Sequence, residues 1–259
     1  MNPPQGPAPV FSIITAVYNA APTLEATLRS IAAQLGSDVE YIVIDGGSSD
    51  GSVDLIKQYS SSLAYWTSEP DKGIYNAWNK GLKRAKGQYI GFIGADDTVN
   101  DNYLSAYRKA VLDAPDVEYW SSRVQFASQP PRLIGRPWKW SEFQRYMAVA
   151  HVGSMHKRSL FERYGHYDES FRITADYEFL LRPGASLRAG FIDAITVTMG
   201  AGGTSTQNAL KALRETRRAK LMTGARLPAA AHMDYWWAYS KYMLRRAVTQ
   251  APGETAKNH

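Results

Sequence analysis

The chain reads YIGFIGADDT at residues 89–98, a short apolar run that ends in two adjacent acids. An apolar run of this length, bounded by Gly87 and Asp96, is typical of a buried strand in a parallel sheet. Ligands of open α/β sheets bind at the carboxyl ends of such strands. Two carboxylates there suit Mg²⁺ or Mn²⁺, which prefer oxygen ligands, whereas aspartate is also a good N-cap for a following helix. This stretch alone leaves both roles open for Asp96 and Asp97.

The residues before this stretch alternate between β-rich runs and helical patterns. Strand character occupies residues 10–17, 41–45 and 63–66. Apolar residues at helical spacing follow each run, and the first of these helices would be capped by Thr23. An alternating order of strands and helices implies βαβ crossovers. The sequence therefore predicts an α/β fold with a mostly parallel central sheet flanked by helices.

Acids recur where the predicted strands end, at Asp45, Asp71, Asp96 and Asp97. The carboxyl ends of parallel strands meet at one edge of the sheet. Several carboxylates at that edge would gather negative charge in a single crevice, which is costly unless a cation lies there. This recurrence favours a site over a set of unrelated turn residues.

Composition limits the class of protein. The 259 residues contain no cysteine, which excludes a disulfide framework or a cysteine-ligated metal site and fits a reducing compartment. The sequence shows neither a signal peptide nor an apolar run long enough to span a bilayer. The formal net charge of +6 favours polyanions, anionic lipid surfaces or phosphorylated substrates. We expect a cytoplasmic protein, peripheral at the inner face of the membrane, with no nucleic-acid partner because no recognition motif is present.

Four blocks of sequence together resemble the family 2 glycosyltransferases. They occupy residues 11–19, 43–51, 68–81 and 87–97, and they read FSIITAVYN, VIDGGSSDG, SEPDKGIYNAWNKG and GQYIGFIGADD. The resemblance implies a GT-A fold that uses nucleotide-diphosphate sugars. The implied catalytic domain would span residues 10–205, with a nucleotide-sugar half at 10–100 and an acceptor half at 101–205. The proline-rich residues 1–9 predict a flexible leader, and the pattern of residues 206–259 predicts a helical C-terminal extension.

The resemblance also implies roles for acids and a lysine in the first half. Asp97 would bind Mn²⁺ or Mg²⁺ on the diphosphate, and Asp96 would contact the ribose or assist the metal. The other implied donor-binding residues are Thr15, Tyr18, Asp45, Asp71 and Lys72, of which Lys72 would neutralise charge on the leaving group. The chain departs from the family at Gly46, where many members carry a second acid that some use for uracil recognition, so the base of the donor stays open.

In the second half, residues 173–182 read ITADYEFLLR and resemble the family segment that carries the catalytic base. Asp176 falls on that position, and Glu178 is the second choice. An inverting transfer needs a base beside the acceptor hydroxyl, and a position near a helix N-terminus would tend to lower the pKa of the carboxylate. The alternative is that Asp176 only caps the helix.

Three further features of the second half belong to the acceptor side or to closure of the site. His151 opens a matching block and would contact substrate or metal. Trp138 offers a flat face for a sugar, although burial is the more common use of tryptophan. Residues 200–206 are rich in glycine, and the resemblance implies a segment that orders over the bound donor and excludes water.

The C-terminal residues are helical in pattern, basic and aromatic. A helix of this composition can lie on an anionic membrane surface, pair two subunits as a homo-oligomer or pack on the core. The sequence leaves these three alternatives open.

The predicted function is that of an inverting, metal-dependent glycosyltransferase in bacterial surface polysaccharide or glycolipid assembly, acting on a saccharide or lipid-linked saccharide. A sugar nucleotidylyltransferase is the first alternative, but it would carry a glycine-rich basic loop after the first strand, where residues 17–22 read VYNAAP. The second alternative is a non-catalytic partner that binds a sugar nucleotide for another transferase. Substitution of Asp176 separates a catalyst from such a partner.

Overall fold

The computed structural model of the protein describes residues 8–128, 130–200 and 208–250, and within them nine strands form one sheet. The strands are β1 (Phe11–Val17), β2 (Val39–Asp45), β3 (Tyr65–Ser68), β4 (Tyr89–Gly94), β5 (Thr98–Val99), β6 (Tyr119–Phe126), β7 (Arg132–Ile134), β8 (Ser154–Lys157) and β9 (Ala189–Met199). The helices are α1 (Ala21–Ala32), α2 (Ser52–Gln58), α3 (Ile74–Leu82), α4 (Tyr103–Asp113), α5 (Trp140–Phe143), α6 (Arg158–Tyr164), α7 (Ala175–Leu181), α8 (Ala209–Thr223) and α9 (Pro228–Gln250).

The sheet has the strand order β3-β2-β1-β4-β8-β6-β9-β5, and β7 pairs with β6. Strands β3, β2, β1 and β4 are parallel to one another, because a helix crosses over between each strand and the next in the chain. β8 runs antiparallel to both of its neighbours, so the sheet as a whole is mixed. The predicted α/β fold with flanking helices and C-terminal helices is confirmed.

Helices cover both faces of the sheet, which explains why its central strands are apolar on both sides. Alternate residues of β1 belong to different cores: Phe11 and Ile13 face one, and Ile14 faces the other. The first core includes residues of α1 and α4, and the second includes residues of α3, α6 and α7. This layering buries the sheet and leaves the ends of its strands as the place where polar residues gather.

Two local predictions were wrong. Helix α1 begins at Ala21 and not after Thr23, because Pro22 is well suited to the first turn of a helix. The Thr23 hydroxyl instead donates to the carbonyl of Ala95 at 2.9 Å. The β-rich runs at residues 117–120 and 123–126 also predict two separate strands, but both contribute to the single strand β6. Ser122 lies between the two runs and is buried. Its hydroxyl lies 2.6 Å from the hydroxyl of Thr196, so its polar group has a partner and the strand continues through it.

Some predictions lie outside the described residues. The leader is described only at residues 8 and 9, and the segment predicted to cover the donor is described only at Gly200. Among the helices in the described part of the chain, none combines the length and the apolar character needed to cross a membrane.

Candidate active site

A crevice of about 1120 Å³ opens at the carboxyl ends of the parallel strands. The loops after β1, β2, β3 and β4 and the first turn of α3 form its walls. Of the predicted donor-binding residues, Tyr18, Asp71 and Asp96 line it. β1 lies between β2 and β4, so the ends of those two strands are two strand spacings apart, roughly 10 Å. The crevice is therefore long enough for an extended ligand.

Hydrogen bonds between the loops after β1 and β2 make one side of the crevice rigid. Asn19 has a φ of 47°, a left-handed conformation that asparagine tolerates better than most residues. Its side-chain oxygen accepts from the backbone amide of Ser49 at 3.0 Å, and its own backbone amide donates to the Ser48 hydroxyl at 2.8 Å. The Ala21 amide donates to Asp50 at 2.9 Å. These bonds fix the two loops relative to each other.

Two predicted donor-binding residues lie beneath the crevice. Asp45 is buried, and its carboxylate accepts from the Gly47 amide at 3.0 Å and from the Ser68 hydroxyl at 2.6 Å. Thr15 is buried and accepts from the Tyr41 hydroxyl at 3.1 Å. Neither is among the described residues that line the crevice. Their contacts give Asp45 a role in fixing the surrounding loops and Thr15 a role in packing.

Lys72, the side chain predicted to lie beside the diphosphate, also differs from the prediction in its position. Lys72 is exposed and is not among the described residues that line the crevice. The carbonyl oxygen of Lys72 accepts a hydrogen bond from the guanidinium of Arg172, and a guanidinium nitrogen lies 3.0 Å from where a Cβ of Gly73 would be. Arg172 therefore reaches the turn that borders the crevice, a placement that no local pattern in the sequence indicates.

The paired acids occupy the turn after β4. Asp97 is buried, with one carboxylate oxygen accepting from the Gly94 amide at 3.1 Å and the other from the Gly200 amide at 3.0 Å. Asp96 is exposed in the crevice. Burial and the neighbouring charge of Asp96 raise the pKa of Asp97 to about 6. The structure decides against a capping role for both, because the next helix, α4, has Asn102 at its N-cap position.

The two carboxylates converge over a glycine. A Cβ on Gly94 would lie 2.6 Å from an Asp97 oxygen and 3.0 Å from an Asp96 oxygen, so the missing side chain leaves a cradle between them. No group of three or more potential metal ligands occurs in the described residues. Mg²⁺ usually keeps several waters and binds through one or two carboxylates plus substrate phosphates. The pair therefore fits a divalent cation that is completed by a diphosphate.

Asp176 lies in the first turn of α7, where Thr174 holds the N-cap position. The hydroxyl of Tyr75 donates to a carboxylate oxygen of Asp176 at 3.1 Å. Tyr75 belongs to α3, and the first turn of α3 contributes Ile74 and Ala77 to the wall of the crevice. Burial raises the pKa of Asp176 to about 6 and outweighs the lowering by Tyr75 and by nearby backbone amides. A helix N-terminus by itself predicts a lowered pKa for Asp176, and burial reverses that direction.

The charge of Glu178, the second choice for the catalytic base, is neutralised by an arginine. Glu178 is buried and forms a bidentate ion pair with Arg182, at 2.9 Å to Nε and 2.5 Å to a terminal guanidinium nitrogen. The same guanidinium donates to the carbonyl of Tyr164 at 2.7 Å. A carboxylate held this way anchors α7 to the C-terminal end of α6 and does not suit proton transfer.

Of the two aromatic side chains predicted on the acceptor side, His151 lies in the core and Trp138 is half-buried against it. His151 is buried, and its ring stacks on Phe92 with 5.2 Å between ring centroids. Burial lowers the pKa of His151 well below its ordinary value, so the ring is neutral. Trp138 packs on Phe143 at 4.1 Å between centroids, which occupies a face that a sugar would need.

Glu215, which lies close to Asp176, is not among the site residues predicted from the sequence. Glu215 of α8 is buried, and its carboxylate accepts from the backbone amides of Arg172, Ile173 and Thr174 at 3.0, 2.8 and 3.1 Å. These amides belong to the turn that leads into α7. The one local signal for this role is that Glu215 is the single acid within the basic helix Ala209–Thr223.

A crevice with paired acids at the ends of parallel strands is the arrangement of the GT-A fold, the fold of a large class of glycosyltransferases. Residues 12–175 match the family described as Glycosyl transferase family 2. The chain belongs to this family.

Two relatives show how far the similarity extends. The chain is 35% identical over 182 residues to an uncharacterized glycosyltransferase of Mycobacterium tuberculosis, covering 68% of this chain and 69% of that protein. It is 30% identical over 188 residues to the PGL/p-HBAD biosynthesis glycosyltransferase of Mycobacterium bovis, covering 68% and 70%.

Two solved structures share the fold. TarS 1–349 of S. aureus in complex with UDP-GlcNAc has a TM-score of 0.66 at 16% identity, covering 87% of this chain and 70% of that one. The mannosyltransferase PcManGT of Pyrobaculum calidifontis in complex with GDP-Man and Mn²⁺ has a TM-score of 0.64 at 19% identity, covering 96% and 77%.

Proposed function

We propose that the protein is an inverting glycosyltransferase that moves a sugar from a nucleotide-diphosphate donor to a hydroxyl of a saccharide or lipid-linked saccharide. The placement of Asp176 carries the proposal, because Tyr75 ties this carboxylate to the helix whose first turn lines the crevice. Burial raises its pKa to about 6. Such a carboxylate is ionised at neutral pH and is a stronger base than an exposed aspartate, as a general base requires.

In the proposed reaction, the acceptor oxygen forms a bond to the anomeric carbon while the bond from that carbon to the donor phosphate oxygen breaks. The hydroxyl proton passes to the carboxylate of Asp176, and the nucleoside diphosphate leaves with the bonding electrons. Tyr75 orients the carboxylate through its 3.1 Å hydrogen bond, and Glu215 fixes the turn before α7. Holding the base in place supplies part of the rate acceleration.

Charge on the leaving diphosphate also has to be neutralised. Asp97, oriented by two backbone amides, is the proposed ligand for Mn²⁺ or Mg²⁺, and exposed Asp96 is the proposed donor contact. Such a cation, when bound, stabilises negative charge on the phosphate oxygens. Arg172, at the turn beside Gly73, adds positive charge at this rim. The role predicted for Lys72 stays a prediction.

Tyr75→Phe tests the assignment of the base through the pH dependence of transfer. Transfer requires ionised Asp176, so kcat should rise with pH through a pKa near 6. The Tyr75 hydroxyl donates to the charged carboxylate and lowers its pKa. Its removal is expected to move the acidic limb of the kcat profile to higher pH by about one unit. Steady-state rates between pH 5 and 8 measure the shift.

A simple loss of packing in Tyr75→Phe would lower kcat equally at all pH values. Tyr107→Phe is a suitable control, since Tyr107 is a buried tyrosine on α4 that donates to the carbonyl of Gly153 at 2.9 Å. An acidic limb that stays in place in Tyr75→Phe, or moves equally in both variants, would count against Asp176 as the base.

A donor screen tests the reaction class. The melting temperature should rise with at least one of UDP-, GDP- and dTDP-sugars, and the rise should depend on Mn²⁺. Ligand at about 100 times its Kd stabilises the folded state by roughly 2.7 kcal/mol. With acceptor present, the reaction should release nucleoside diphosphate, whereas a nucleotidylyltransferase would release pyrophosphate. Absence of any shift with all three donors would contradict the proposal.

The acceptor is proposed to lie at an anionic membrane surface, with the protein bound peripherally on the inner face. Helix α9 exposes Met233, Trp236 and Trp237 at 72%, 60% and 62% of their surface. Lys241 lies over the Trp237 ring at 4.6 Å, which places positive charge beside the aromatic side chains. Exposed tryptophan next to basic residues is typical of helices that bind the interface of anionic bilayers.

The double variant Trp236→Ser/Trp237→Ser is expected to lose most flotation with vesicles containing phosphatidylglycerol. It spares Asp234, whose ion pairs with Lys220 and Arg226, each 3.0 Å long, hold α9 on α8 and on the turn between the two helices. Leu112→Ser is the matched control, because Leu112 is 80% exposed on α4. Equal flotation of the three proteins would overturn membrane binding, and a concentration-dependent dimer lost in the double variant would assign the surface to subunit pairing.

A further inference from the structure

We infer that Lys220 is a positioning residue whose buried ammonium couples helix α9 to the wall of a second groove, on the acceptor half of the sheet. This coupling rests on the proposed membrane binding of α9 and adds to it a path from the bilayer to the site. Lys220 lies on α8, is 2% exposed and takes no part in the proposed reaction. A buried ammonium is costly unless it is paired and hydrogen-bonded, so its partners need an explanation.

The ammonium of Lys220 joins three elements. It donates to the backbone carbonyl of Arg145, which follows α5, at 2.5 Å, and to the carboxylate of Asp234 on α9 at 3.0 Å. Helix α8 also supplies Glu215, which accepts from the backbone of the turn before α7. The C-terminal helices therefore hold two segments of the acceptor half, the turn before Asp176 and the chain after α5.

Asp234 is the common partner of the cations at this junction. Besides Lys220, it pairs with Arg226 at 3.0 Å and lies 3.9 Å from the guanidinium of Arg145. Two residues later on the same helix, Trp236 is 60% exposed and belongs to the surface proposed to meet the bilayer. The carboxylate that holds Lys220 is therefore on the same turn of α9 as part of that surface.

The chain after α5 borders a groove of about 500 Å³. Residues 146–149 form one wall of this groove, and residues 132–136 form the other. Strand β8 is antiparallel to both β4 and β6, so β4 and β6 run in the same direction. Phe126 at the end of β6 lines the groove. The groove therefore reaches the edge of the sheet where Asp96 and Asp97 lie, and β6 is two strand spacings, roughly 10 Å, from β4.

The chain that forms this wall is also tied to the helix that carries Asp176. The hydroxyl of Tyr177 on α7 donates to the carbonyl of Phe143 at 2.9 Å. Lys220 holds the chain two residues further on, at Arg145. The wall of the groove therefore has one anchor from α7 and one from α8 near its start. Loss of the Lys220 anchor would let the wall move relative to Asp176.

An anionic bilayer favours the paired state of Asp234. Charge pairs strengthen where the dielectric constant is low, and an unpaired carboxylate beside the bilayer costs more than one in water. Anionic headgroups also repel a carboxylate that has lost its cations. The bilayer therefore binds the paired state more tightly, and its binding shifts the equilibrium toward that state. Binding of α9 is expected to fix Lys220 on Arg145 and, through it, the wall at residues 146–149.

The test is hydrogen exchange of backbone amides in the full chain, with and without phosphatidylglycerol vesicles. In the wild type, the vesicles should slow exchange in residues 145–149 by about 10-fold or more. Lys220→Met removes the ammonium at similar length, and Asp234→Asn removes the charge of its partner at nearly the same shape. In both variants the slowing should fall to within about 2-fold, while the protein still floats with the vesicles. Exchange in β1 reports whether each variant is folded.

Lys157→Met is the matched control, because Lys157 lies on β8 and donates to the backbone carbonyl of Pro115 at 2.9 Å. It should keep the wild-type response. Slowing that persists in Lys220→Met or Asp234→Asn would come from direct contact with the bilayer and would refute the coupling. A wild type that floats without slowing at residues 145–149 would refute the coupling alone. If the wild type does not float, the proposed membrane binding fails with it, and the donor screen tests sugar transfer separately.

Discussion

Replacing Asp176 with asparagine is expected to lower the rate of sugar transfer by roughly 100- to 10,000-fold while donor affinity is unchanged. Asparagine has nearly the same shape and still accepts the hydrogen bond that Tyr75 donates at 3.1 Å. It cannot take the proton of the acceptor hydroxyl. The loss should therefore appear in kcat, and calorimetric titration of the donor should give the wild-type Kd.

The melting temperature of the variant distinguishes a loss of catalysis from misfolding. Burial raises the pKa of Asp176 from 3.8 to about 6, so the folded protein loses stability as pH rises through this window and the carboxylate ionises. At pH 7 the uncharged Asp176→Asn variant should unfold at the wild-type temperature or above it. Glu178→Gln is the contrasting variant: it breaks the buried ion pair with Arg182 and should lower the melting temperature but leave transfer largely intact. Full transfer in Asp176→Asn would remove it as the base.

Asp97→Asn is expected to raise the Mn²⁺ concentration for half-maximal transfer at least about 10-fold and to lower transfer by roughly 100-fold. Asp97 is buried with both carboxylate oxygens held by backbone amides, so its remaining lone pairs have a fixed direction. The amide that replaces it carries less charge and turns an N–H₂ group toward one of those donors. Transfer rates across a Mn²⁺ titration measure both effects.

Asp96→Asn is the matched variant, because the two carboxylates meet over Gly94 but only Asp96 is exposed in the crevice. It should raise the KM for the donor and leave the Mn²⁺ requirement close to that of the wild type. The opposite outcome, with the Mn²⁺ requirement changed by Asp96→Asn alone, would exchange the proposed roles. Transfer that is insensitive to chelation would contradict metal dependence for both.

Much of the fold was predictable because its signals are local. Apolar runs marked β1, β2 and β4, of which β2 ends at Asp45 and β4 at Gly94, and helical spacing between them implied parallel crossovers. That order alone places the residues after each strand at one edge of the sheet. The crevice positions of Tyr18, Asp71 and Asp96 follow from this rule.

Side-chain environments were less predictable, since they depend on which distant residues fill the neighbouring space. Asp45 also follows a strand, yet hydrogen bonds from Gly47 and Ser68 hold it beneath the crevice. His151 opens a sequence block that resembles the family, yet its ring is packed on Phe92. A strand end specifies the edge of the sheet where a residue lies, but not whether its side chain points to the ligand or to the protein.

The family, the α/β fold and the acids at the strand ends could be predicted from the sequence, because periodicity and contiguous motifs encode these features. The different environments of these acids follow from packing: Asp97 is fixed by amides, Asp96 is open to the crevice, and Asp71 lies over Gly46. The tertiary structure also brought Glu215 from α8 to the turn before Asp176. These contacts join residues far apart in the chain, and packing alone sets their distances.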